Sequence, residues 1–212
     1  DVKTLLDSVG KSDRYEVVEK LLEHRDKIEI VTQQEGLPYG NGSPIVSAKH
    51  LLEEGEPFCV LFGDDIVITK GSSAIGQLVE FYENSDCEAV MGTQKVAIED
   101  VVKYGIVKPK GDLESRSGEI EYIIEKPSID EAPSQIVGYG RFVVPYRVFD
   151  YLKTENIGKD DELWLQDANS KIAETGKYMY KVVDGTWFTT GDPFRYFEAL
   201  VMTYLQDPEY KG

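Results

Sequence analysis

The pattern of apolar and polar positions divides the chain into segments with helical spacing and segments with strand-like spacing. Helical spacing predicts helices at 1–24 (in two segments), 44–52, 72–84, 146–152, 163–175 and 193–205. Continuous or alternating apolar runs predict strands at 27–32, 58–62, 88–96, 135–144 and 177–183, with a hairpin formed by 106–108 and 119–125. The alternation of the two kinds predicts an α/β fold, a three-layer α/β/α sandwich with a mixed, mostly parallel sheet.

The most informative stretch is Phe58–Ile68. Phe58–Phe62 is an apolar run without a charge, as expected for a strand that is buried on both faces of a sheet. Gly63 ends this run, and Asp64 and Asp65 follow directly. Ligands of open α/β sheets bind beyond the carboxyl ends of the strands, where a carboxylate suits Mg²⁺. The two acids therefore indicate either a metal site or a solvated acidic turn.

Segments rich in glycine or polar residues interrupt this pattern. The segment 33–43 contains three glycines and one proline, so it is predicted to be a loop, as is the segment 186–192. Ser43 is predicted to cap a helix that begins at Pro44, and the free N–H groups at such a helix start suit an anion or a base edge.

Composition narrows the possible functions. The chain has 212 residues, 41% of them hydrophobic, so we expect a single domain over 1–212. Its net charge of −16 disfavours nucleic acid and anionic membranes as partners, since both attract basic patches. No signal peptide or apolar stretch of membrane length stands out, so we expect a cytoplasmic protein. Cys59 and Cys87 lie among apolar residues and are predicted to be buried thiols.

Several short motifs resemble those of one enzyme family. They are Gly63-Asp64-Asp65, Tyr104-Gly105, Glu125-Lys126-Pro127, Gly140-Arg141-Phe142 and Thr190-Gly191-Asp192, preceded by the glycine-rich loop before a helix. In this order they resemble the UTP–glucose-1-phosphate uridylyltransferases, which have the nucleotide-diphospho-sugar transferase fold. The resemblance covers nearly the whole chain. It implies an enzyme of carbohydrate metabolism that forms UDP-glucose and pyrophosphate from UTP and glucose 1-phosphate.

The resemblance also implies roles for acidic and basic residues. Asp64 would bind Mg²⁺ and act in catalysis together with Lys126, whose charge would neutralise a phosphate. Glu125 would accept hydrogen bonds from sugar hydroxyls. The alternative for Glu125 and Lys126 is an exposed ion pair at the end of a strand.

The remaining implied contacts concern the base and the sugar. Gln33 or Gln34 would meet the uracil edge, because an amide offers both a donor and an acceptor. Glycines would let the backbone approach the ligand, at the base for Gly40 and Gly42 and at the sugar for Gly105 and Gly140. Ordinary turn chemistry is the alternative explanation for these glycines.

Departures from the family pattern modify these expectations. Thr189 stands where the family usually has Asp, and a hydroxyl is a poorer Mg²⁺ ligand than a carboxylate. The chain lacks the family's N-terminal Gly-rich loop segment, so we expect the chain as given to be inactive. It would also expose a sheet edge, leading to a homo-oligomer, a swapped partner or marginal stability. The alternative function is a non-catalytic sugar-nucleotide-binding or regulatory homologue, or a nucleotidyltransferase for another sugar 1-phosphate.

Overall fold

The computed structural model describes residues 2–158 and 161–206, and the chain divides into two compact units, Asp1–Glu35 and Gly36–Gly212. The first unit contains helix α1 (Val2–Ser8), helix α2 (Asp13–Leu22) and a 3₁₀ turn at Arg25–Lys27. The single domain predicted over 1–212 stays a prediction.

The strand predicted at 27–32 is wrong. These residues join neither sheet of the structure, and Ile28 and Ile30 are 64% and 89% exposed. An alternating pattern specifies which side of a strand faces the core. The strand itself forms only when a neighbour takes up its backbone hydrogen bonds, and no described strand does so here.

The second unit contains the sheets and four helices in its described part. Its strands are β1 (Phe58–Leu61), β2 (Asp65–Ile68), β3 (Ala89–Lys95), β4 (Gly105–Pro109), β5 (Ser117–Glu125), β6 (Ile136–Val144), β7 (Tyr178–Val182) and β8 (Thr186–Thr189). Its helices are α3 (Gly42–Ala48), α4 (Ala74–Glu83), α5 (Leu165–Thr175) and α6 (Pro193–Gln206). The helix predicted at 146–152 forms as a 3₁₀ helix, Tyr146–Asp150, and another 3₁₀ helix spans Ile98–Lys103.

The main sheet has six strands in the order β1-β6-β3-β7-β5-β4. This confirms an α/β fold with a mixed sheet. Strands β1, β3, β7 and β4 share one direction, while β6 and β5 run the other way. Because β6 lies between β1 and β3, and β5 between β7 and β4, only β3 and β7 are parallel neighbours among the described strands. The prediction that the pairing is mostly parallel is therefore corrected.

Helices cover both faces of the main sheet, as the three-layer prediction requires. Successive residues of a strand point to opposite faces, and β3 shows the consequence. Val90 shares a core cluster with Leu78 of α4, whereas Met91 shares the other large cluster with Ile172 of α5. The apolar run of β3 is thus buried on both sides.

Strands β2 and β8 form a second, two-stranded sheet that sequence reasoning missed. Asp65 pairs with Thr189 at one end of this sheet, and Ile68 pairs with Thr186 at the other. Each strand has only four residues, and its partner is distant in the chain. A local pattern of this length carries no sign of such a pairing, which is why 186–192 was predicted to be a loop.

Some local predictions also need correction. Asn41, not Ser43, precedes α3 as its N-cap residue, and the Ser43 hydroxyl donates instead to the carbonyl of Pro38 at 2.5 Å. Cys87 is buried as predicted, but Cys59 is exposed on the edge strand β1.

Helix α6 leaves much of its apolar surface in solvent. Its large side chains with at least 39% exposure are Phe194, Tyr196, Phe197, Leu200, Val201, Tyr204 and Leu205. None of the helices in the described ranges combines the length and apolar character needed to cross a bilayer. Association of the chain with itself stays a prediction.

Candidate functional site

A cavity of about 290 Å³ lies where the main sheet meets the small sheet. Its walls include four predicted site residues, Asp64, Gly105, Glu125 and Gly140. These residues come from the loop after β1, the start of β4, the end of β5 and the middle of β6. The fold therefore brings together the predicted metal ligand and the predicted sugar contacts, although they are far apart in the sequence.

Asp64 presents its carboxylate at the wall of this cavity. Its backbone carbonyl accepts hydrogen bonds from the N–H of Thr190 at 2.6 Å and from the Thr190 hydroxyl at 3.0 Å. These bonds fix the backbone, while the side chain is exposed. The backbone of Asp64 is thus held in place, and its carboxylate is accessible to a ligand.

The donor atoms around Asp64 fit Mg²⁺ in one specific way. The described residues include no group of three or more His, Cys, Asp or Glu side chains that is arranged to hold a metal ion. Mg²⁺, however, usually takes one or two carboxylates and completes its coordination with water and substrate phosphates. Asp64 supplies one carboxylate, and Thr189 lines the same cavity with a hydroxyl. These residues fit Mg²⁺ together with bound phosphates, and not as a cage made of protein ligands alone.

Asp65 has the opposite environment to Asp64. Its side chain is buried, with 8% exposure. The indole N–H of Trp187 donates to Asp65 Oδ1 at 2.5 Å, and the N–H of Gly140 donates to Oδ2 at 2.8 Å. Burial raises the pKa of the Asp65 carboxyl, while these two donors act in the opposite sense. The interpretation of Asp65 as part of a solvated acidic turn is therefore wrong.

Glu125 and Lys126 lie at the end of β5 and form a loose ion pair. Their side chains are 54% and 63% exposed, and Lys126 Nζ is 3.9 Å from Glu125 Oε1. An exposed pair of this kind contributes little to stability. Glu125 also lines the cavity. The geometry thus contains both the exposed ion pair and an acid at the wall of the cavity.

The backbone of Lys126 adopts an uncommon conformation. Its φ of +48° lies in the left-handed region, which residues other than glycine rarely occupy. The N–H of Lys126 donates to the carbonyl of Tyr104 at 3.0 Å, next to the cavity residue Gly105. This bond ties the end of β5 to the start of β4.

Gly105 and Gly140 allow close packing in the cavity wall. A Cβ atom at Gly105 would lie 2.9 Å from Glu125 Oε2, and a Cβ atom at Gly140 would overlap the side chain of Phe62. Gly140 therefore requires glycine for the wall as it stands, whereas at Gly105 the exposed end of the Glu125 side chain could move aside. Their predicted contact with a sugar stays a prediction.

Gly40 and Gly42 pack against the segment that precedes α5. A Cβ atom at Gly42 would lie 2.9 Å from the carbonyl oxygen of Leu163, and one at Gly40 would overlap the backbone of Leu163. The N–H of Gly42 donates to the Leu163 carbonyl at 2.8 Å, and the Leu163 N–H donates to the Tyr39 carbonyl at 2.7 Å. Packing against Leu163 therefore explains glycine at these two positions, whether or not a nucleotide base binds nearby.

The two predicted base-contacting residues, Gln33 and Gln34, belong to the first unit. Their contact with uracil stays a prediction.

Sequence reasoning missed an aromatic cluster at the cavity. Trp187 stacks on Tyr139, with ring centroids 5.4 Å apart, and meets Tyr104 edge-on at 5.1 Å. All three residues line the cavity. One signal was available, because a tryptophan in a segment predicted to be a polar loop needs a partner for both its ring and its N–H.

Comparison with known proteins adds independent information. A family model described as nucleotidyl transferase matches residues 8–205. The UTP–glucose-1-phosphate uridylyltransferase YngB of Bacillus subtilis (strain 168) is 33% identical over 203 residues, which cover 96% of this chain and 66% of that protein. The chain thus spans about two thirds of the length of this curated relative.

Solved structures show the same similarity. A UDP-glucose pyrophosphorylase complexed with UDP-glucose is 28% identical with a TM-score of 0.72, covering 79% of this chain and 63% of that one. A UTP-bound UGPase from Acinetobacter baumannii is 25% identical with a TM-score of 0.79, covering 99% of this chain and 71% of that one.

Proposed function

Since the chain belongs to the nucleotidyl transferase family, we propose that it acts as a UTP–glucose-1-phosphate uridylyltransferase, forming UDP-glucose and pyrophosphate from UTP and glucose 1-phosphate. The observation that carries this proposal is the meeting of Asp64, Gly105, Glu125 and Gly140 at one cavity. Relatives with this activity and structures with UTP or UDP-glucose bound support it. We further propose that the protein acts in the cytoplasm.

The reaction makes limited chemical demands on the protein. A phosphate oxygen of glucose 1-phosphate attacks the α-phosphorus of UTP, the bond to the β-phosphate breaks, and pyrophosphate leaves. No covalent enzyme intermediate is required, so the side chains contribute mainly by positioning and by neutralising charge. A bound Mg²⁺ would supply positive charge to the phosphates.

In this proposal each site residue has one task. Asp64 would hold Mg²⁺, which would supply positive charge to the phosphates, and Lys126 would offer a second positive charge. Glu125 accepts hydrogen bonds from the sugar hydroxyls. Gln33 or Gln34 meets the uracil edge, and the backbone at Gly40 and Gly42 lies near the base.

A second candidate function rests on Thr189. This residue lines the cavity next to Asp64 with a neutral hydroxyl, so the protein offers one carboxylate for Mg²⁺ there instead of two. A non-catalytic protein that binds sugar nucleotides needs less charge neutralisation than an enzyme does. This alternative therefore predicts binding of UDP-glucose without turnover.

Calorimetry with UDP-glucose and UTP, together with a pyrophosphate-release assay, tests both functions. Enzyme activity predicts binding of both nucleotides and release of pyrophosphate when UTP, glucose 1-phosphate and Mg²⁺ are mixed. Because the chain as given lacks the family's Gly-rich loop segment, the release assay requires a form that also carries such a segment. Binding without release in that form would favour the non-catalytic homologue. The absence of binding for both nucleotides would contradict the proposal.

The Glu125→Gln variant tests the sugar contact. We expect its affinity for UDP-glucose to fall about tenfold, because a hydrogen bond to a charged acceptor is weakened, while its affinity for UTP stays the same. Glu121→Gln is the matched control, since Glu121 lies on the same strand and is exposed outside the cavity wall. Equal losses for both nucleotides would mean that Glu125 does not read the sugar.

A further inference from the structure

Asp65 stands out among the charged residues of the second unit. Among the residues of this unit that the structure describes, it is the only Asp, Glu, Lys or Arg that is buried. A buried carboxylate is unfavourable unless hydrogen bonds compensate for its lost hydration, so the hydrogen-bond partners of Asp65 determine whether it can be buried. Its position next to Asp64 makes that explanation relevant to the site.

The carboxylate of Asp65 joins two segments that line the cavity. Oδ2 accepts the backbone N–H of Gly140 at 2.8 Å, and Oδ1 accepts the indole N–H of Trp187 at 2.5 Å. Gly140 belongs to the main sheet and Trp187 to the small sheet. One side chain therefore fixes the distance between the two sheets at the cavity.

Arg141 strengthens the same junction from the backbone side. Its Nη1 donates to the carbonyls of Phe62 at 2.9 Å and Gly140 at 2.7 Å, and its Nη2 donates to the carbonyl of Asp65. The Phe62 N–H in turn donates to the Gly140 carbonyl at 2.9 Å. The loop that carries Asp64 is thus held against β6 at both of its ends.

The indole bond also orients the aromatic wall of the cavity. Trp187 packs between Tyr139 and Tyr104, so rotation of its ring would disturb both neighbours. The bond to Asp65 Oδ1 selects one orientation of the ring. Both oxygens of Asp65 are therefore used as acceptors, and each fixes a different wall.

We propose that Asp65 is a positioning residue that sets the shape of the sugar-nucleotide cavity by holding Gly140 and Trp187 with its two carboxylate oxygens. This inference rests on the proposed function for the identity of the ligand. Asp65 also lines the cavity, but both of its carboxylate oxygens already accept these two N–H donors. It acts through the backbone of Gly140, the ring of Trp187 and the neighbouring Asp64.

A double-mutant cycle with Asp65→Asn and Trp187→Phe tests this role. The amide of Asn offers one acceptor and one donor group, so in Asp65→Asn one of the two N–H donors faces another donor. Trp187→Phe keeps a ring but removes the indole N–H, which leaves room for the amide group. We therefore expect Asp65→Asn to weaken UDP-glucose binding at least tenfold in the wild-type background and at most threefold in the Trp187→Phe background.

The measurements are UDP-glucose dissociation constants in Mg²⁺, taken on the full chain well below the melting temperature of each variant. A merely structural role would lower the melting temperature without changing the affinity of the folded protein. Asp130→Asn, an exposed acid outside the cavity wall, is the control. Equal effects of Asp65→Asn in both backgrounds, or an unchanged dissociation constant, would overturn the inference.

Two further outcomes are covered: an Asp65→Asn variant that does not fold, and a wild-type protein that does not bind UDP-glucose. If Asp65→Asn does not fold, Arg141→Lys takes its place, since Arg141 holds the same junction from outside the cavity wall. Its affinity for UDP-glucose should fall at least threefold, and an unchanged value would overturn the inference. Wild-type protein that fails to bind UDP-glucose at all would contradict the proposed function instead.

Discussion

Asp64 and Asp65 are neighbours in the chain, yet they have different physical roles. The side chain of Asp64 is exposed at the cavity, whereas that of Asp65 is buried and accepts two N–H bonds. The two residues belong to different local structures, because Asp64 lies in the turn after β1 whereas Asp65 begins β2 and pairs with Thr189. Substitutions at the two positions should therefore fail in different ways.

In a form of the protein that also carries the family's Gly-rich loop segment, Asp64→Asn should leave the fold intact and reduce catalysis in the proposed reaction. The variant keeps the shape of the side chain but removes the charge that would hold Mg²⁺ against the phosphates. Loss of one such electrostatic contact commonly costs about 3–4 kcal/mol, or roughly a hundred- to a thousandfold in rate. Measuring kcat and its Mg²⁺ dependence, with Asp130→Asn as control, checks this. Near-normal rates for Asp64→Asn would show that the metal is held elsewhere.

The candidate site could be predicted at the residues whose chemistry appears in local motifs. Asp64 lies in the turn after β1 and Glu125 ends β5, and both line the cavity. Trp187 and the burial of Asp65 were not predictable in this way. Both depend on the pairing of β2 with β8, which joins segments far apart in the chain.

At the scale of elements, the glycine-rich loop before α3 supports the start of α5. Gly42 and Leu163 are joined by a backbone hydrogen bond, and the side-chain oxygen of Asn41 accepts the N–H of Leu165 at 2.8 Å. The latter bond satisfies one of the free N–H groups at the first turn of α5. Trp164 and Gln166, at this helix start, line the cavity. The loop thus shapes the cavity through α5.

Gly40→Ala should destabilise the protein by about 1–3 kcal/mol, the usual range for overpacking. Gly40 has a φ of +123°, and its added Cβ would overlap the backbone of Leu163, which cannot move aside as a flexible side chain would. Gly55→Ala is the matched control, since Gly55 has a φ of +87° and no atom within 4 Å of an added Cβ. Urea denaturation of the two variants gives the difference. Equal losses would mean that backbone conformation, and not packing against Leu163, decides the cost.

Most long elements were predictable from periodicity, and the failures share a cause. The helices α4, α5 and α6 and the strands β3, β6 and β7 have many residues in one pattern. The predicted strand at 27–32 has a suitable pattern but no described partner, whereas β8 has a partner but little pattern. Strand formation depends on a neighbour, and a single local window does not contain that information.

At the scale of the whole molecule, the connection between the two units has little regular structure. After the 3₁₀ turn Arg25–Lys27, the structure has no helix or strand until α3 begins at Gly42. Its exposed apolar residues include Ile28 and Ile30. A backbone of this kind reaches the extended conformation that proteases require at low cost.

Limited digestion with trypsin should therefore cut first after Arg25 or Lys27. A fragment that begins at Asp26 or Ile28 should then persist, because the hydrogen-bonded sheets of the second unit resist the local opening that cleavage requires. Mass spectrometry of a digestion time course identifies the first cut. A Glu-specific protease, which should cut first after Glu29 or Glu35, provides a second test. Early cleavage within β3, β6 or β7 would contradict the expected order.

The left-handed backbone at Lys126 lowers the stability of the fold, and this bears on why a lysine occupies the position. A residue with a Cβ atom in this conformation carries a penalty of about 1–2 kcal/mol, which glycine would avoid. The exposed ion pair with Glu125 recovers little of that penalty. Selection for folding alone would thus move position 126 toward glycine. A lysine retained there at the expense of stability is most simply explained if the ammonium group is useful for something other than folding.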